Sequence, residues 1–364
     1  MKKESNKSKP KSKSKSKSAQ QAVRAQASTW LFVGIGIAVA AVVLGLLFIT
    51  RDTDTKTPSG STQQSTQQPA SNQAASGQVP SALTRSDLVV DYSQSTINLD
   101  QVLSGGPGKD GIPALTDPKF ESLSDSTVSD DTQVVYVEHG GEEKLYPLSI
   151  LVWHEIANDT VGGKPLAITF CPLCGSSIVF EREVDGEVLD FGVSGFLYES
   201  NLLMYSREDS ESLWSQSLGS AVVGARSGTS LTHYPLQLVT FGDAKTKYPN
   251  ATVLSTDTGH RRNYESNPYS GYADTDRTYF PVSVDDKRFP AKEIFYIIPI
   301  EGSSSIAVRL DKEDGTYLVP DTDIDVTIDA GTITANWGTA ELPGYYEMWF
   351  SWATHNSETG IVVE

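Results

Sequence analysis

Residues 165–192 read Pro165-Leu-Ala-Ile-Thr-Phe170-Cys171-Pro-Leu-Cys174-Gly-Ser-Ser-Ile178-Val-Phe-Glu-Arg-Glu-Val184-Asp185-Gly186-Glu-Val188-Leu-Asp-Phe-Gly192. The first six form an apolar run too short for a helix and of ordinary length for a strand. Cys171-Pro-Leu-Cys174-Gly175 then turns the chain, with Gly175 supplying backbone freedom and Pro172 stiffening the approach. Residues 178–184 and 188–192, joined by Asp185-Gly186, predict a hairpin, because Asp-Gly fits the two-residue turn whose twist matches paired strands. Alternating strands and turns over so short a stretch point to a sheet-built domain.

The rhythm continues on both sides. Upstream, residues 133–138, Gly140-Gly141 and residues 144–147 predict another hairpin. Residues 147–159 carry apolar side chains at helical spacing (Leu148, Ile150, Leu151 and Ile156, around Trp153-His154) and stop before Gly162-Gly163, so a helix is predicted there. Downstream, residues 202–205, 221–224, 236–241, 253–254, 294–300, 306–310, 324–328, 332–335 and 345–352 predict strands. Asp323, Asp325 and Asp329 fall on the wet face of one of them; a calcium loop would need Gly where Val326 stands. Gly105-Gly-Pro-Gly-Lys109-Asp110 is turn chemistry rather than a phosphate loop, since Asp110 occupies the place of the magnesium-binding hydroxyl. The predicted class is α+β: a strand-rich outer domain with few short helices, preceded by one N-terminal transmembrane helix.

The N-terminal part of the chain predicts that membrane tether. Residues 1–29 are rich in Lys and Ser, cannot be buried, and are predicted to be a disordered cytoplasmic tail. Residues 30–49 (Trp30-Leu-Phe-Val-Gly-Ile-Gly-Ile-Ala-Val-Ala-Ala-Val-Val-Leu-Gly-Leu-Leu-Phe-Ile49) carry no charge. At about 1.5 Å per residue they reach roughly 30 Å, the thickness of a bilayer's apolar core. A cleaved signal peptide would have a shorter run and small residues at the cut, whereas this run ends Phe48-Ile49-Thr50-Arg51. We read residues 30–50 as an uncleaved single-pass helix, its N-terminus held in the cytoplasm by the lysines and its C-terminal domain outside the cell membrane. Residues 51–82, rich in Ser, Thr and Gln, read as a flexible linker, and residues 83–364 as the extracytoplasmic domain.

The chain of 364 residues has a formal charge of −17. The first 30 residues hold eight Lys, one Arg and one Glu, which leaves 25 net negative charges on everything after them. So acidic a body excludes nucleic acid as its partner by plain repulsion. Two Cys in the whole chain exclude a disulfide-stapled scaffold and a four-Cys metal site.

Both cysteines lie in one motif, and three readings of it stay open. Two thiols three residues apart can exchange electrons with a partner, hold a metal together, or close a bridge. A bridge over so small a loop would gain little stability, whereas an exposed pair in an oxidising space suits redox exchange. No helix follows to lower a thiol pKa through its dipole, because residues 175–180 read as turn and strand. The string also looks like half of a rubredoxin-type metal knuckle whose second half is missing; His154, beside Glu155 on the predicted helix, could complete a transition-metal site or accept a proton. No cofactor is required by the dithiol reading. His139, His233 and His355 read as surface or packed residues, while His260 between Gly259 and Arg261-Arg262 admits an anion contact. Polar groups beside aromatics, such as Arg207, Trp214-Ser-Gln216, Arg262-Asn-Tyr264, Tyr269 and Tyr272, could line a pocket or finish a core edge.

In order along the chain stand Gly105-Gly-Pro-Gly-Lys-Asp-Gly-Ile-Pro-Ala-Leu115, Trp153-His-Glu-Ile-Ala-Asn-Asp159, Thr169-Phe-Cys-Pro-Leu-Cys-Gly-Ser176, Phe191-Gly-Val-Ser-Gly195, Leu202-Leu-Met-Tyr205, Ser212-Leu-Trp-Ser-Gln216, Val253-Leu-Ser-Thr-Asp-Thr-Gly259, Phe280-Pro-Val282 and Met348-Trp-Phe-Ser-Trp-Ala353. This series resembles the domain of unknown function (DUF) 3179 family from residue 105 to the C-terminus. Some members of that family are selenoproteins at the Cys-Pro-x-Cys motif, so the resemblance implies redox chemistry at Cys171 and Cys174. It also singles out His154, Glu155, Asn158, Asp159, Arg207, Trp214, Gln216, Arg262 and Tyr264. Ser206 stands where the family has Asp, which implies a weaker carboxylate contact for Arg207, and His260 takes a usual aromatic place, which argues against it as a family ligand. The leading expectation is thiol–disulfide exchange with an unknown redox partner or small molecule. A metal-binding or metal-delivery module and a surface interaction domain with a structural disulfide are the alternatives.

Overall fold

Three successive strands build the centre of the domain by local pairing. The computed structural model describes residues 79–300, 305–356 and 360–363. Strand Ile156–Val161 turns at Gly162-Gly163 into strand Lys164–Cys171, which turns at residues 172–175 into strand Ser176–Glu181, all antiparallel. Gly162 must be glycine: its φ is +53°, and a Cβ there would sit 2.0 Å from the carbonyl oxygen of His139. This run extends into a nine-stranded sheet in which Leu115–Thr116 lies outside Ile156–Val161, and Tyr345–Met348, Ile294–Ile298, Ile306–Arg309 and Ile361–Val363 follow in order beyond Ser176–Glu181. His233–Tyr234 pairs with the outer part of Ser176–Glu181.

Two five-stranded sheets flank it. One carries Val102–Ser104, Phe191–Tyr198, Asn201–Ser206, Ser212–Ser215 and Ser220–Gly224; the other carries Gln237–Thr240, Gln133–His139, Glu142–Pro147, Thr252–Leu254 and Phe120–Ser122. A four-stranded meander, Gly315–Leu318 to Ala340–Leu342, completes the strand content apart from one two-stranded ribbon. The main core runs through the large sheet, with Phe180, Trp214, Phe295, Trp349 and Trp352 almost wholly removed from water. At roughly 25 cal/mol per Å², each aromatic so buried contributes a few kcal/mol to folding.

The strand-rich α+β expectation holds, with corrections to individual elements. The helix expected over residues 147–159 is only Leu148–Leu151, and His154 and Glu155 lie in the turn that follows. The Gly162-Gly163 pair read as its stop is instead a hairpin turn, and cross-strand pairing of residues 156–161 outweighs their helical spacing. The hairpin expected across residues 178–192 shrinks to Glu183–Val184 with Glu187–Val188 around Asp185-Gly186; Ser176–Glu181 and Phe191–Tyr198 belong to different sheets. Residues 345–352 change from strand to helix at Trp349, because the helix Trp349–Asn356 packs Trp349, Phe350 and Trp352 into the core together. In the meander Asp325 and Asp329 do face water while Ile324, Val326 and Ile328 face inward. The predicted tail, membrane helix and all but the last residues of the linker fall outside the described residues. Among the described residues, no helix is long and apolar enough to cross a membrane.

Candidate functional site

The dithiol stands on a hairpin turn in the largest sheet. Cys171 pairs in register with Ser176, and residues 172–175 form the connection. The Cys174 amide donates to the Cys171 carbonyl (3.2 Å), and the Met348 amide donates to the Cys174 carbonyl (2.9 Å), so the strand Tyr345–Met348 clamps the turn. Gly175 adopts φ +56°, and a Cβ there would press on Ile294 and Met348 at 2.9–3.0 Å. Behind the turn, Gln216 Nε2 donates to Thr169 Oγ1 (2.8 Å), while its Oε1 accepts from Ser176 Oγ (2.7 Å) and Asn201 Nδ2 (3.1 Å). A buried polar network with its partners met fixes geometry.

The expectation of an exposed pair is corrected: Cys171 is 2% exposed and Cys174 is fully buried, both as free thiols. The apolar strands on either side of the turn carry it inward. Burial opposes ionisation of Cys171, but donation by the Cys174 thiol and by the amides of Cys174, Leu202 and Leu173 outweighs it, and the Cys171 pKa falls below that of an ordinary thiol. Cys174 goes the other way, raised by burial, by its bond to Cys171 and by the charges of Cys171 and Glu347. Its Sγ also lies 3.3 Å from the Ser200 carbonyl oxygen, a second acceptor for its proton. The pair is polarised into a thiolate-prone Cys171 and a proton-holding Cys174.

Two buried carboxyls lie near the sulfurs. Glu155 has φ +58°, a strained conformation for a non-glycine residue. Burial, and then the charge of Cys171, push its carboxyl well above the usual range; it makes no side-chain hydrogen bond among the described residues. Glu347, on the Cys174 side, is fully buried, and burial raises its pKa to about 7 although Ser217 and Ser351 partly offset the effect. Both hydroxyls donate to its Oε1 at 2.6 Å. Its Oε2 is buried with no hydrogen-bond partner.

An open cleft of about 370 Å³ reaches the outer side of the turn, where Phe170, Pro172, Gly175, Tyr264, Tyr269 and Tyr272 contribute to its wall. A second cleft of about 620 Å³ adjoins it through Val152 and Tyr269 and presents Arg261 and Arg262. The tyrosines come from a loop without regular secondary structure between the strands Thr252–Leu254 and Ile294–Ile298. Lys292 anchors that loop, donating to the carbonyl oxygen of Arg277 (2.8 Å) and lying over the Tyr272 ring at 3.4 Å. Burial raises the Tyr269 hydroxyl pKa, followed by the charges of Glu155 and Cys171; for Tyr272 the charges that follow burial are those of Cys174 and Cys171. Both rings share the cleft wall with Pro172 and Gly175 of the cysteine turn.

The remaining sequence candidates separate into groups. His154 is fully buried near the cleft, with both ring nitrogens engaged: Nδ1 donates to the Pro113 carbonyl (2.7 Å) and Nε2 accepts from Tyr264 Oη (2.8 Å). Burial is the main cause that lowers its pKa to about 4, so the ring is neutral. Its ring lies 5.4 Å from that of the exposed His260. Arg262 and Tyr264 line the clefts. Asn158 instead staples two sheets together through the backbone of Leu115 and Phe191, and Asp159 pairs with Lys144 at 3.0 Å and Tyr146 at 2.7 Å. Arg207 forms a bidentate pair with Asp110, which supplies the carboxylate that Ser206 does not. Trp214 packs edge-on against Phe191. Among the described residues, no group of three His, Cys, Asp or Glu side chains is arranged to hold a metal ion.

Comparison with known proteins agrees with the sequence series. The family model described as "Protein of unknown function (DUF3179)" matches residues 109–337. The chain belongs to the DUF3179 family. No curated protein and no solved structure matches it. Of the groups gathered at the turn of this DUF3179 chain, sequence reasoning names the cysteines, Glu155 and the cleft tyrosines but not Glu347 or Ser351, which lie beyond the matched residues. Their signal was present: Glu347 is the lone acid inside the aromatic run Tyr345-Tyr-Glu-Met-Trp-Phe-Ser-Trp352, where a charged side chain has no reason to be buried unless it has partners or a task.

Proposed function

We propose that this domain carries out thiol–disulfide exchange through Cys171 and Cys174 on a small disulfide that enters the tyrosine-lined cleft. The observation that supports this most is the seating of both free thiols in one buried turn behind the cleft, where the Cys171 pKa is lowered while Cys174 keeps its proton and donates it to the Ser200 carbonyl. The Cys171 thiolate attacks one substrate sulfur, the substrate S–S bond breaks, and a mixed disulfide forms as the first substrate thiolate leaves. Glu155, protonated beside Cys171, is placed to hand that thiolate a proton. Cys174 then attacks Cys171 Sγ, releasing the second substrate thiol and closing the Cys171–Cys174 bridge. Two electrons pass from the protein dithiol to the substrate; the protons on the two product thiols come from Glu155, which water then reprotonates, and from Cys174. The burial of both sulfurs favours a small substrate over a folded protein disulfide. The uncharged run of residues 30–49 and the lysines before it support the further reading that a membrane anchor holds the domain on the outer face, where oxidised sulfur compounds occur.

Equilibrating the full-length chain in glutathione buffers of graded potential, with thiols counted by mass after alkylation, tests this. The expected result is one two-electron transition, lost in both C171S and C174S while their far-ultraviolet spectra stay unchanged. A pair that stays reduced at every potential, or Ser variants that reduce a small disulfide as fast as the parent, would overturn it.

A further inference from the structure

The chain is strongly acidic, yet the wall of its larger cleft is not. That cleft of about 620 Å³ presents Arg261, Arg262 and Asn263 beside Trp153, and no carboxylate lines it. Elsewhere Arg182, Arg207, Arg226, Arg288 and Arg309 each hold an Asp or Glu. Among the described residues Arg261 and Arg262 hold none, and the one hydrogen bond from either guanidinium runs from Arg262 Nη1 to the Arg261 carbonyl (3.2 Å). The segment that carries them is pinned. Buried His154 accepts from Tyr264 Oη at 2.8 Å, Tyr264 Oη accepts from Thr258 Oγ1 at 2.6 Å, and Thr258 Oγ1 accepts from the His260 amide at 3.2 Å. Further along, the Trp153 indole donates to the Ser266 carbonyl at 3.2 Å. Two guanidinium groups without a paired carboxylate, carried on such a segment, offer their forked donors to an incoming anion.

We propose that the disulfide substrate is anionic, with Arg261 and Arg262 holding its carboxylate in the larger cleft while its sulfurs lie in the smaller one at the cysteine turn. This rests on the thiol-exchange reading above and names the substrate class. The two clefts share Val152 and Tyr269, so one ligand can lie across both. Their walls set its direction. Phe170, Pro172 and the three tyrosines give the smaller cleft an apolar, aromatic wall suited to the sulfur-bearing part, and the one acid that lines it, Glu265, repels a carboxylate there. The charged end therefore belongs with the guanidinium pair. The field of the whole molecule acts in the opposite sense, since a chain of net charge −17 draws cations and repels anions at long range. A preference for anionic disulfides has to come from a local site, and these two side chains supply one.

The test presents the reduced full-length chain with three small disulfides: dianionic 3,3′-dithiodipropionate, neutral bis(2-hydroxyethyl) disulfide and dicationic cystamine. Each rate is divided by that of the same disulfide with dithiothreitol, which removes intrinsic reactivity, and is measured at low salt, because screening weakens exposed charges. The parent is expected to favour the dianion over the neutral probe about tenfold or more. R261A/R262A should lose that factor on the dianion while staying within about twofold of the parent on the neutral probe, and R261E/R262E should turn the preference toward cystamine. Equal slowing on all three probes would mark a structural role and overturn the proposal. So would a double Ala variant that keeps the preference. Suberate, which has methylenes where dithiodipropionate has sulfurs, reports the anion site without any exchange; its calorimetric binding to the parent should weaken about tenfold or more in R261A/R262A. Suberate binding by a chain that reduces none of the three probes would overturn the exchange reading while keeping the site. Reduction of all three without charge preference would overturn the site alone.

Discussion

Replacing Glu347 by Gln should alter stability in a way that depends on pH. The folded carboxyl titrates near pH 7 against an ordinary value of 4.5, and burial is the main cause. Because the folded pKa is raised, the acid contributes no penalty below pH 4.5, where it is protonated in both states. The penalty grows between pH 4.5 and about 7, where the folded chain keeps a proton that the unfolded chain has released, and levels off above that, where the folded chain holds a buried anion. Linkage over this shift gives under about 1 kcal/mol at pH 5 and about 3 kcal/mol at pH 8.5, a difference of about 2–3 kcal/mol. Gln cannot ionise and its carbonyl still accepts from Ser217 and Ser351, so it escapes this loss. Its amide, set where Oε2 has no partner, adds a cost that does not vary with pH. Urea unfolding of the full-length parent and E347Q, followed by tryptophan fluorescence at pH 5 and 8.5, measures the difference directly. E347Q should gain about 2–3 kcal/mol relative to the parent between those two conditions. A variant-minus-parent difference that stays constant across pH would refute the reasoning, because it would mean that Glu347 titrates normally.

Two further substitutions probe the frame around the thiols. Gly175→Ala places a methyl against Ile294 and Met348 in a backbone conformation that favours glycine, so a loss of about 1–3 kcal/mol is expected, together with faster alkylation of Cys174 by iodoacetamide; unchanged stability and reactivity would show that the turn is not held as described. Asp159→Ala strips the buried Lys144 ammonium of its main partner and Tyr146 of its acceptor. A cost of about 3–5 kcal/mol is expected in urea unfolding, and the cost should shrink in the Lys144→Met background if the stranded charge is its source.

Much of the architecture was legible because the strands are short and their turns are marked. Gly140-Gly141, Asp185-Gly186 and the Cys-Pro-Leu-Cys-Gly string each lie between strands, as their turn chemistry requires. The failures occurred where one local pattern fits two structures. Leu148, Ile150, Leu151 and Ile156 have helical spacing, but whether the chain continues as helix or pairs as strand depends on residues 164–171, which periodicity does not weigh. The aromatic run at residues 345–352 is ambiguous for the same reason, since its large apolar side chains follow neither period clearly. The site was visible at its reactive end, since two cysteines three residues apart announce themselves. Its supporting carboxyl was not, because Glu347 comes to Cys174 only through the pairing of Tyr345–Met348 with Ser176–Glu181. His154 shows the opposite error: a histidine near a dithiol suggests a ligand, yet the carbonyl of Pro113 and the hydroxyl of Tyr264 already occupy its nitrogens.

The order in which the large sheet is filled bears on how the chain is made. Its cysteine hairpin is local, joining neighbouring segments across a four-residue turn, and local pairs close early. The strand that clamps this turn, and the helix that brings Ser351, are encoded about 170 residues later. At a synthesis rate of about 5–20 residues per second, that separation corresponds to roughly 10–30 seconds. Throughout that interval the two thiols stand on a formed hairpin without Met348, Glu347 or Ser351 against them, open to any oxidant in reach. The C-terminal segment thus acts on the nascent chain as a closing cap, and a chain cut short before Tyr345 would keep both cysteines but lose the cover that Met348 gives their turn.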